Sequence, residues 1–257
     1  MGKKLIALHC IALGILLVAT AAFAGTSPGT GIKQTSHDLS SLGKGGFWNA
    51  GVNVDPLDRI CIYCHAPHHS ITPTEAASKG LTYYPLWNHN VSTAIYKLYQ
   101  NTDPGNPDIP NSLSHQLNAL QTQPGSVSKL CLSCHDGTVA VNQYGYAPSS
   151  SQNNPGNSFI TLQPRFAIGA SAYGSLMNHH PIGFDYGYVQ AIDDEIKDAS
   201  SALIGNNPYG LTINDLLFGG KLECASCHDV HNTKNTGKKF LWVEDTNSNL
   251  CLSCHAK

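Results

Sequence analysis

The sequence CIYCH at residues 61–65 is the first of four stretches with the pattern C-x-x-C-H. The pattern returns as CLSCH at 131–135, CASCH at 224–228 and CLSCH at 251–255. Two thiols three positions apart can reach the two vinyl groups on one edge of a porphyrin, and the next residue can then bind the iron. The pattern therefore predicts four haem c groups. Their thioether residues are Cys61, Cys64, Cys131, Cys134, Cys224, Cys227, Cys251 and Cys254, and their proximal iron ligands are His65, His135, His228 and His255.

Zinc is the alternative occupant of these cysteine pairs. Eight cysteines arranged as C-x-x-C would suit two sites of four thiolates each. A zinc site does not need a histidine after every pair, and in this chain all four pairs have one. Haem therefore explains more of the pattern than zinc does.

Residues 1–24 have the features of a secretory signal peptide. Lys3 and Lys4 precede an apolar run, and Ala22-Phe23-Ala24 resembles a cleavage site. A retained membrane anchor is the alternative, although the run is barely long enough to span a bilayer. We expect export to the periplasm or the cell surface. Residues 25–257 would then form a single tetrahaem domain with no transmembrane segment.

The composition predicts a chain with little regular structure. Hydrophobic residues make up 41% of the chain, while 24 glycines and 14 prolines favour turns. We predict a mostly irregular fold with a few short α-helices and minimal β structure, wrapped around four haems that supply the missing apolar bulk. Local patterns favour helices at 91–99 and at 189–203, the second ending at Gly205, and a strand at 239–243. The net charge of −2, without a basic run, argues against nucleic-acid binding.

The histidine count predicts two histidine ligands on each iron. The chain has 13 histidines and two methionines, Met1 and Met177, so at most one haem has a methionine ligand available. We expect no catalytic residue, because an iron with two protein ligands has no open position. Besides the proximal ligands and His9 of the signal, the histidines are His37, His68, His69, His89, His115, His179, His180 and His231.

His68 and His231 each follow a proximal histidine by three residues. A residue so placed cannot easily cross the porphyrin plane to its own haem, but it can reach a second haem alongside. The unit C-H-x-x-H therefore predicts two neighbouring irons, and a surface histidine is the alternative interpretation.

The remaining distal positions are open to several residues. Pro181 restricts the backbone before it, which suits a fixed ligand at His180, although His179 could serve instead. His37 and His89 compete for another place. His115 lies in a polar stretch, and we expect it to be exposed to solvent.

The short sequence stretches in and around the motifs resemble those of a known family. They are SHDLS at 36–40, HAPH at 65–68, PLWN at 85–88, LCLSCHDG at 130–137, HPIGF at 180–184 and HDVH at 228–231. Together they resemble the exported multihaem cytochromes of the cytochrome c3-like superfamily. Within it the chain is most similar to the OmcE-type tetrahaem cytochromes, which polymerise into extracellular nanowires.

This resemblance implies a haem chain that continues from subunit to subunit in a homopolymer. One haem would take its distal histidine from the neighbouring subunit, and the matching residue here is His68, with His69 as an open alternative. The resemblance also favours His37 over His89, which stays in reserve. Distal candidates are thus His37, His68, His180 and His231. Electron donors in the periplasm or outer membrane are the implied partners.

Three hypotheses for function follow. The first is electron transfer through a polymeric extracellular filament to an external acceptor. The second is a monomeric periplasmic shuttle with the same haems. The third is a multihaem reductase of oxyanions, which needs one iron with an open position, and no C-x-x-C-K variant of the motif is present.

Overall fold

The structure is a computed structural model that describes residues 27–40, 59–68, 70–99, 122–139, 141, 144–145, 167–168, 175–177 and 179–256. These residues form five short α-helices, namely α1 Pro73–Ser78, α2 Ser126–His135, α3 Tyr186–Ile192, α4 Cys224–Cys227 and α5 Cys251–Cys254. Short 3-10 helices cover Cys61–Tyr63, Asn214–Leu216 and Thr246–Ser248. Pairing of extended backbone within these ranges is limited to isolated bridges. The predicted fold class, mostly irregular with a few short helices and minimal β structure, is confirmed.

Each C-x-x-C-H motif forms a helical turn. The turn is 3-10 in the first motif, the end of α2 in the second, and the whole of α4 and α5 in the others. The amide N–H groups of His65, His228 and His255 donate to the carbonyl oxygen of the first cysteine of their motifs, at 2.8, 3.2 and 3.0 Å. Residues three apart on a helix lie on one face. The turn therefore directs both thiols to the same side, with the histidine at its end.

Side-chain caps explain where two helices begin. Before α1, the Thr72 hydroxyl accepts the Glu75 N–H at 3.3 Å, and the Glu75 carboxylate accepts the Thr72 N–H at 3.0 Å. Pro73 takes the first helical position, where no N–H is needed. Before α3, the Asp185 carboxylate accepts the Tyr188 N–H at 2.8 Å. Both helices therefore begin where a polar side chain can bind the first free amides.

Buried apolar residues form several small clusters. The largest lies in the C-terminal part of the described chain and includes Phe184, Tyr186, Val189, Ile204, Ile213, Leu216, Leu222 and Val243. Smaller clusters surround Trp87, Tyr63 and Leu132. The core is thus divided among small clusters, and the prediction that haem groups supply further apolar bulk stays a prediction.

The first described residues pack against the segment that follows the third motif. The Gly29 N–H donates to the side-chain oxygens of Asn232 and Asn235, both at 3.2 Å. The Asn232 amide donates in turn to the carbonyl oxygens of Ser27 and Gly31, at 3.0 and 2.8 Å. Gly29 has a φ of 73°, which glycine adopts without strain. These bonds join residues that lie about 200 positions apart in the sequence.

The predicted helix at 91–99 is wrong, because this segment is irregular. The Tyr96 N–H donates to Gln123 Oε1 at 2.9 Å, and Gln123 Nε2 donates to the Tyr96 carbonyl oxygen at 3.0 Å. The Ser92 hydroxyl donates to the Asp136 carboxylate. A short helix is marginal without tertiary support. Here the tertiary partners bind the backbone in a non-helical conformation instead.

The predicted helix at 189–203 is wrong beyond its first four residues. Helix α3 begins earlier than predicted and ends before Asp193, which has extended backbone angles of φ −134° and ψ 107°. Further on, the Asp198 carboxylate accepts the N–H groups of Ser200 and Ser201, at 3.0 and 2.9 Å. Such a local bond competes with a helix. Gly205 lies in a later turn with a φ of 46° and does not end a helix.

The predicted strand at 239–243 is also wrong. Lys239 and Phe240 have φ values of 57° and 62°, so the chain turns where a strand was expected. Leu241 forms only an isolated bridge with His228. This turn brings the Lys239 carbonyl oxygen to the ring of His228.

The longest described helix, α2, was not predicted, because its serines and lysine weaken the apolar pattern. The proposed signal at 1–24 and the histidines His69 and His115 lie outside the described residues. None of the described helices is long and apolar enough to cross a membrane.

Candidate haem-binding sites

All eight cysteines of the four motifs are free thiols. Cys61 and Cys251 are exposed, and the others are half-buried. No three histidine, cysteine, aspartate or glutamate side chains of the described residues are placed to hold a metal ion together. The two four-thiolate zinc sites considered from the sequence are therefore not assembled. Each pair of thiols precedes its own histidine in sequence, and Cys134 Sγ also lies 3.5 Å from His89 Nε2.

Two of the four proximal imidazoles are oriented by backbone carbonyl groups. Nδ1 of His65 lies 2.6 Å from the Pro85 carbonyl oxygen, and Nδ1 of His228 lies 3.1 Å from that of Lys239. When Nδ1 donates to such an oxygen, Nε2 keeps its lone pair for a metal. The pKa of His228 is lowered by burial, which favours this neutral form. Both rings therefore have the tautomer and the orientation of an iron ligand.

Three proximal imidazoles each face a second imidazole from a distant part of the chain. Metal–imidazole bonds are about 2 Å long, so two rings on opposite sides of one metal have centres roughly 6 Å apart. The observed ring-centre separations are 5.9 Å for His37 and His135, 6.1 Å for His65 and His231, and 6.4 Å for His180 and His255. Every pair combines a motif histidine with a predicted distal candidate. The residues present therefore fit six-coordinate haem iron at three of the motifs.

His37 is half-buried, and its Nδ1 is enclosed without a hydrogen-bond partner. Burial lowers the pKa of His37 from 6.5 to about 4, with a further decrease from the charges of His135 and His228. The ring stacks on Phe240 at 4.7 Å with an interplanar angle of 3°. Neutral imidazole is the metal-binding form. The environment of His37 thus keeps a neutral ring in a fixed orientation.

His231 is held by the turn that follows the third motif. The Asp229 carboxylate accepts the N–H groups of His231, Thr233 and Lys234, at 3.1, 2.8 and 2.7 Å. Asp229 is itself buried. A buried carboxylate that accepts several amides fixes the local backbone. Asp229 thereby fixes the backbone between His228 and His231. This backbone places the ring of His231 near the ring of His65.

His179 and His180 are neighbours with different surroundings. Both are exposed. The ring of His180 faces His255, and its Nδ1 lies 2.9 Å from the Pro181 carbonyl oxygen. His179 makes only a backbone hydrogen bond, from its N–H to the Leu176 carbonyl oxygen at 3.1 Å. Of these two candidates, the structure therefore brings His180 to a motif.

The other candidates are not paired with a motif histidine. His89 is buried, with Nδ1 2.7 Å from the Asn90 carbonyl oxygen and Nε2 3.2 Å from that of Val141. His68 is exposed and has no ring contact within the described ranges. His228 likewise has no ring contact with an imidazole in this part of the chain, although its charge acts on His37. The structure thus leaves one proximal histidine, His228, and two distal candidates, His68 and His89, unmatched.

Sequence reasoning missed a set of buried carboxylates. Asp38, Asp136 and Asp229 each follow a histidine assigned to iron, and all three are buried. The Asp38 carboxylate accepts the N–H groups of Gln34 and Ser40, at 2.6 and 3.1 Å. The repeated pair His-Asp was the signal that could have found them. These aspartates fix the backbone beside each histidine.

The comparison with known families agrees with this arrangement. Residues 218–257, which contain the third and fourth motifs, match the family described as Doubled CXXCH motif. No curated protein matches the chain. Paired CXXCH motifs indicate covalent binding of haem c, and the match suggests a multihaem c-type cytochrome that carries electrons. Cytochromes of this class are typically exported.

Proposed function

We propose that the chain is a tetrahaem electron-transfer protein in which every iron has two histidine ligands. The observation that supports this best is the facing of three motif histidines by three distant ones at metal-bridging separations. The proximal and distal ligands are His135 with His37, His65 with His231, and His255 with His180. A haem supplies one-electron chemistry at its iron when it is bound.

The chain's own residues would hold and orient these groups. Carbonyl oxygens of Pro85 and Lys239 fix the tautomers of His65 and His228. The ring of His37 stacks on Phe240, which orients it at the second site. Two protein ligands on each iron leave no position for a substrate, which suits electron transfer more than catalysis.

We propose further that the protein forms a homopolymer joined by His68. Within the described residues, His228 has no facing imidazole, and His68 is exposed with no ring contact. In the proposed joint, His68 of one subunit is the distal ligand for the third-motif haem of the next subunit. A head-to-tail contact that does not close generates a filament. Such a filament would carry electrons from periplasmic or outer-membrane donors to an external acceptor.

Electron microscopy of the purified holoprotein tests the joint. We expect filaments from the unchanged protein and from His179→Ala, and monomers from His68→Ala. Filaments formed by His68→Ala would contradict the joint. Monomers formed by the unchanged protein would favour a periplasmic shuttle.

The unmatched His228 also supports a second candidate function, an oxyanion reductase. A haem with only one protein ligand has the open position that such a reaction needs. Rapid cyanide binding by the filament at neutral pH would favour this activity, whereas no binding would favour electron transfer alone.

A further inference from the structure

The carboxyl group of Glu223 links the two helices that carry the second and third motifs. Glu223 directly precedes α4 and is buried. Its two oxygens lie 3.1 and 3.2 Å from the N–H of Gly125, the residue before α2. The Ser128 hydroxyl, in the first turn of α2, donates to the same carboxyl group. The side chain of Glu223, at the start of α4, therefore forms hydrogen bonds with residues at the start of α2.

A second set of hydrogen bonds supports the contact between α4 and α2. The Cys224 N–H donates to the Ser128 hydroxyl at 2.9 Å, so this hydroxyl both donates and accepts between the two helices. The Glu223 N–H donates to the Ser226 hydroxyl at 2.9 Å. The position of Glu223 is thus fixed from both sides. Bonds of this kind within a buried network stabilise one relative placement of its parts.

Position 125 needs a glycine for reasons of space. A Cβ atom built on Gly125 would overlap Oε1 of Glu223. The backbone angles of Gly125, φ −70° and ψ −177°, are open to any residue. The glycine therefore serves the close approach of the carboxyl group and not an unusual backbone conformation.

This linkage brings two thioether positions together. Cys131 on α2 and Cys224 on α4 lie close enough for each thiol to influence the pKa of the other. They are the first cysteines of different motifs, so the haem groups attached to them would adjoin along this edge. Helices α2 and α4 pack against each other directly.

We propose that Glu223 is a positioning residue for electron transfer between the haems of the second and third motifs. It acts through Gly125 and Ser128, which hold α2 and α4 so that the attachment points at Cys131 and Cys224 adjoin. This inference rests on the proposed function, because it requires haem at both motifs. Burial raises the pKa of Glu223, so a neutral amide of the same shape suits the site.

The test compares holoprotein variants by haem content and by the magnetic interaction between neighbouring ferric haems in electron paramagnetic resonance. Glu223→Ala and Gly125→Ala should keep all haems but lose the interaction between this pair. Glu223→Gln should retain it, because the amide oxygen still accepts the Gly125 N–H. Glu244→Ala, at an exposed glutamate, is the matched control and should leave the interaction unchanged.

The outcomes separate the two proposals. An unchanged protein without haem at the second and third motifs would overturn the proposed function. Full haem loading with an unaltered interaction in both Glu223→Ala and Gly125→Ala would overturn only the role of Glu223. If Glu223→Ala contains less haem than the unchanged protein, the Ser128→Ala variant becomes the test of the inference. This variant removes one hydroxyl group and leaves the carboxyl group in place. A loaded Ser128→Ala protein with the full interaction would then contradict the inference.

Discussion

The imidazole rings of His65 and His231 have centres 6.1 Å apart and planes inclined by 21°. More than half of the chain separates the two residues in sequence. His231 follows the proximal histidine of the third motif by three positions, so its reach to His65 brings the first and third motifs together. This is the neighbour relationship that the spacing of C-H-x-x-H predicts.

Replacing both Cys251 and Cys254 by alanine should remove one haem and leave the others. Thioether bonds attach haem to each motif separately, so we expect the haem content to fall by about a quarter. Intact-protein mass and the absorbance of the pyridine complex measure this loss. A variant that keeps the full haem content would contradict attachment at the fourth motif.

Replacing His180 by alanine should leave one iron with a single protein ligand. Because the ring of His180 faces His255, we expect one of the low-spin haem signals to become high-spin. Electron paramagnetic resonance of the ferric protein measures the change. His179→Ala is the control at the adjacent position and should leave every signal unchanged. If the signals of His180→Ala are as unchanged as those of His179→Ala, His180 is not a ligand.

The stability of the protein should depend on pH through His37. Its pKa is lowered to about 4 in the folded chain, mainly by burial, against 6.5 in the unfolded chain. The stabilisation is therefore complete above pH 6.5, and it is lost as the pH falls toward 4. The difference corresponds to roughly 3 kcal/mol. Ligation to iron acts in the same direction, because a protonated ring cannot bind metal.

Urea unfolding at several pH values between 4 and 7 measures this dependence of the free energy of unfolding. His37→Gln should give a flatter dependence than the unchanged protein, while His179→Ala should not differ from it. An equal slope in His37→Gln would show that another group is responsible.

Replacing Asp229 by alanine should destabilise the turn that carries His231. The change leaves the amides of His231, Thr233 and Lys234 without their acceptor. An unsatisfied buried donor costs about 1–3 kcal/mol; these three hydrogen bonds are only partly buried, so we expect a decrease in the free energy of unfolding smaller than three such costs. We also expect a high-spin signal from the first haem.

Asp198→Ala is the matched control for this variant. Asp198 accepts the N–H groups of Ser200 and Ser201 in a similar turn, but it is exposed, so water can replace it. A loss of stability as large as that of Asp229→Ala would mean that burial is not the cause.

The fold class was predictable from the composition, but the individual elements were not. The helical turn at Cys224–Cys227 was not predicted, although the bond that closes it lies within the motif. The segment 91–99 was misassigned because its backbone is bound by Gln123, which no local pattern reveals. Helix α3 ends at Ile192, where Asp193 is extended and its carboxylate accepts the Glu195 N–H at 3.0 Å.

The candidate ligands were predicted from their number and spacing and stay predictions, but the contacts between their rings were not predicted. The sequence named His37, His180 and His231 without assigning each to a motif, because the contacting residues are far apart in the chain. The unit C-H-x-x-H was the exception, since its spacing alone excludes the haem of its own motif. The buried carboxyl group of Glu223 had no signal in sequence, because its partners lie on a different helix.

If His65 and His231 hold the same iron, as proposed, their pairing also orders the events of biosynthesis. A chain that emerges from its N-terminus exposes His65 long before His231 exists. A haem attached at the first motif would therefore lack its distal ligand until the third motif and His231 have been synthesised. Long-range closure of this kind is slow, so maturation of the first site is a late step although its residues appear first. A chain cut short before residue 231 would contain the first motif but would never complete it.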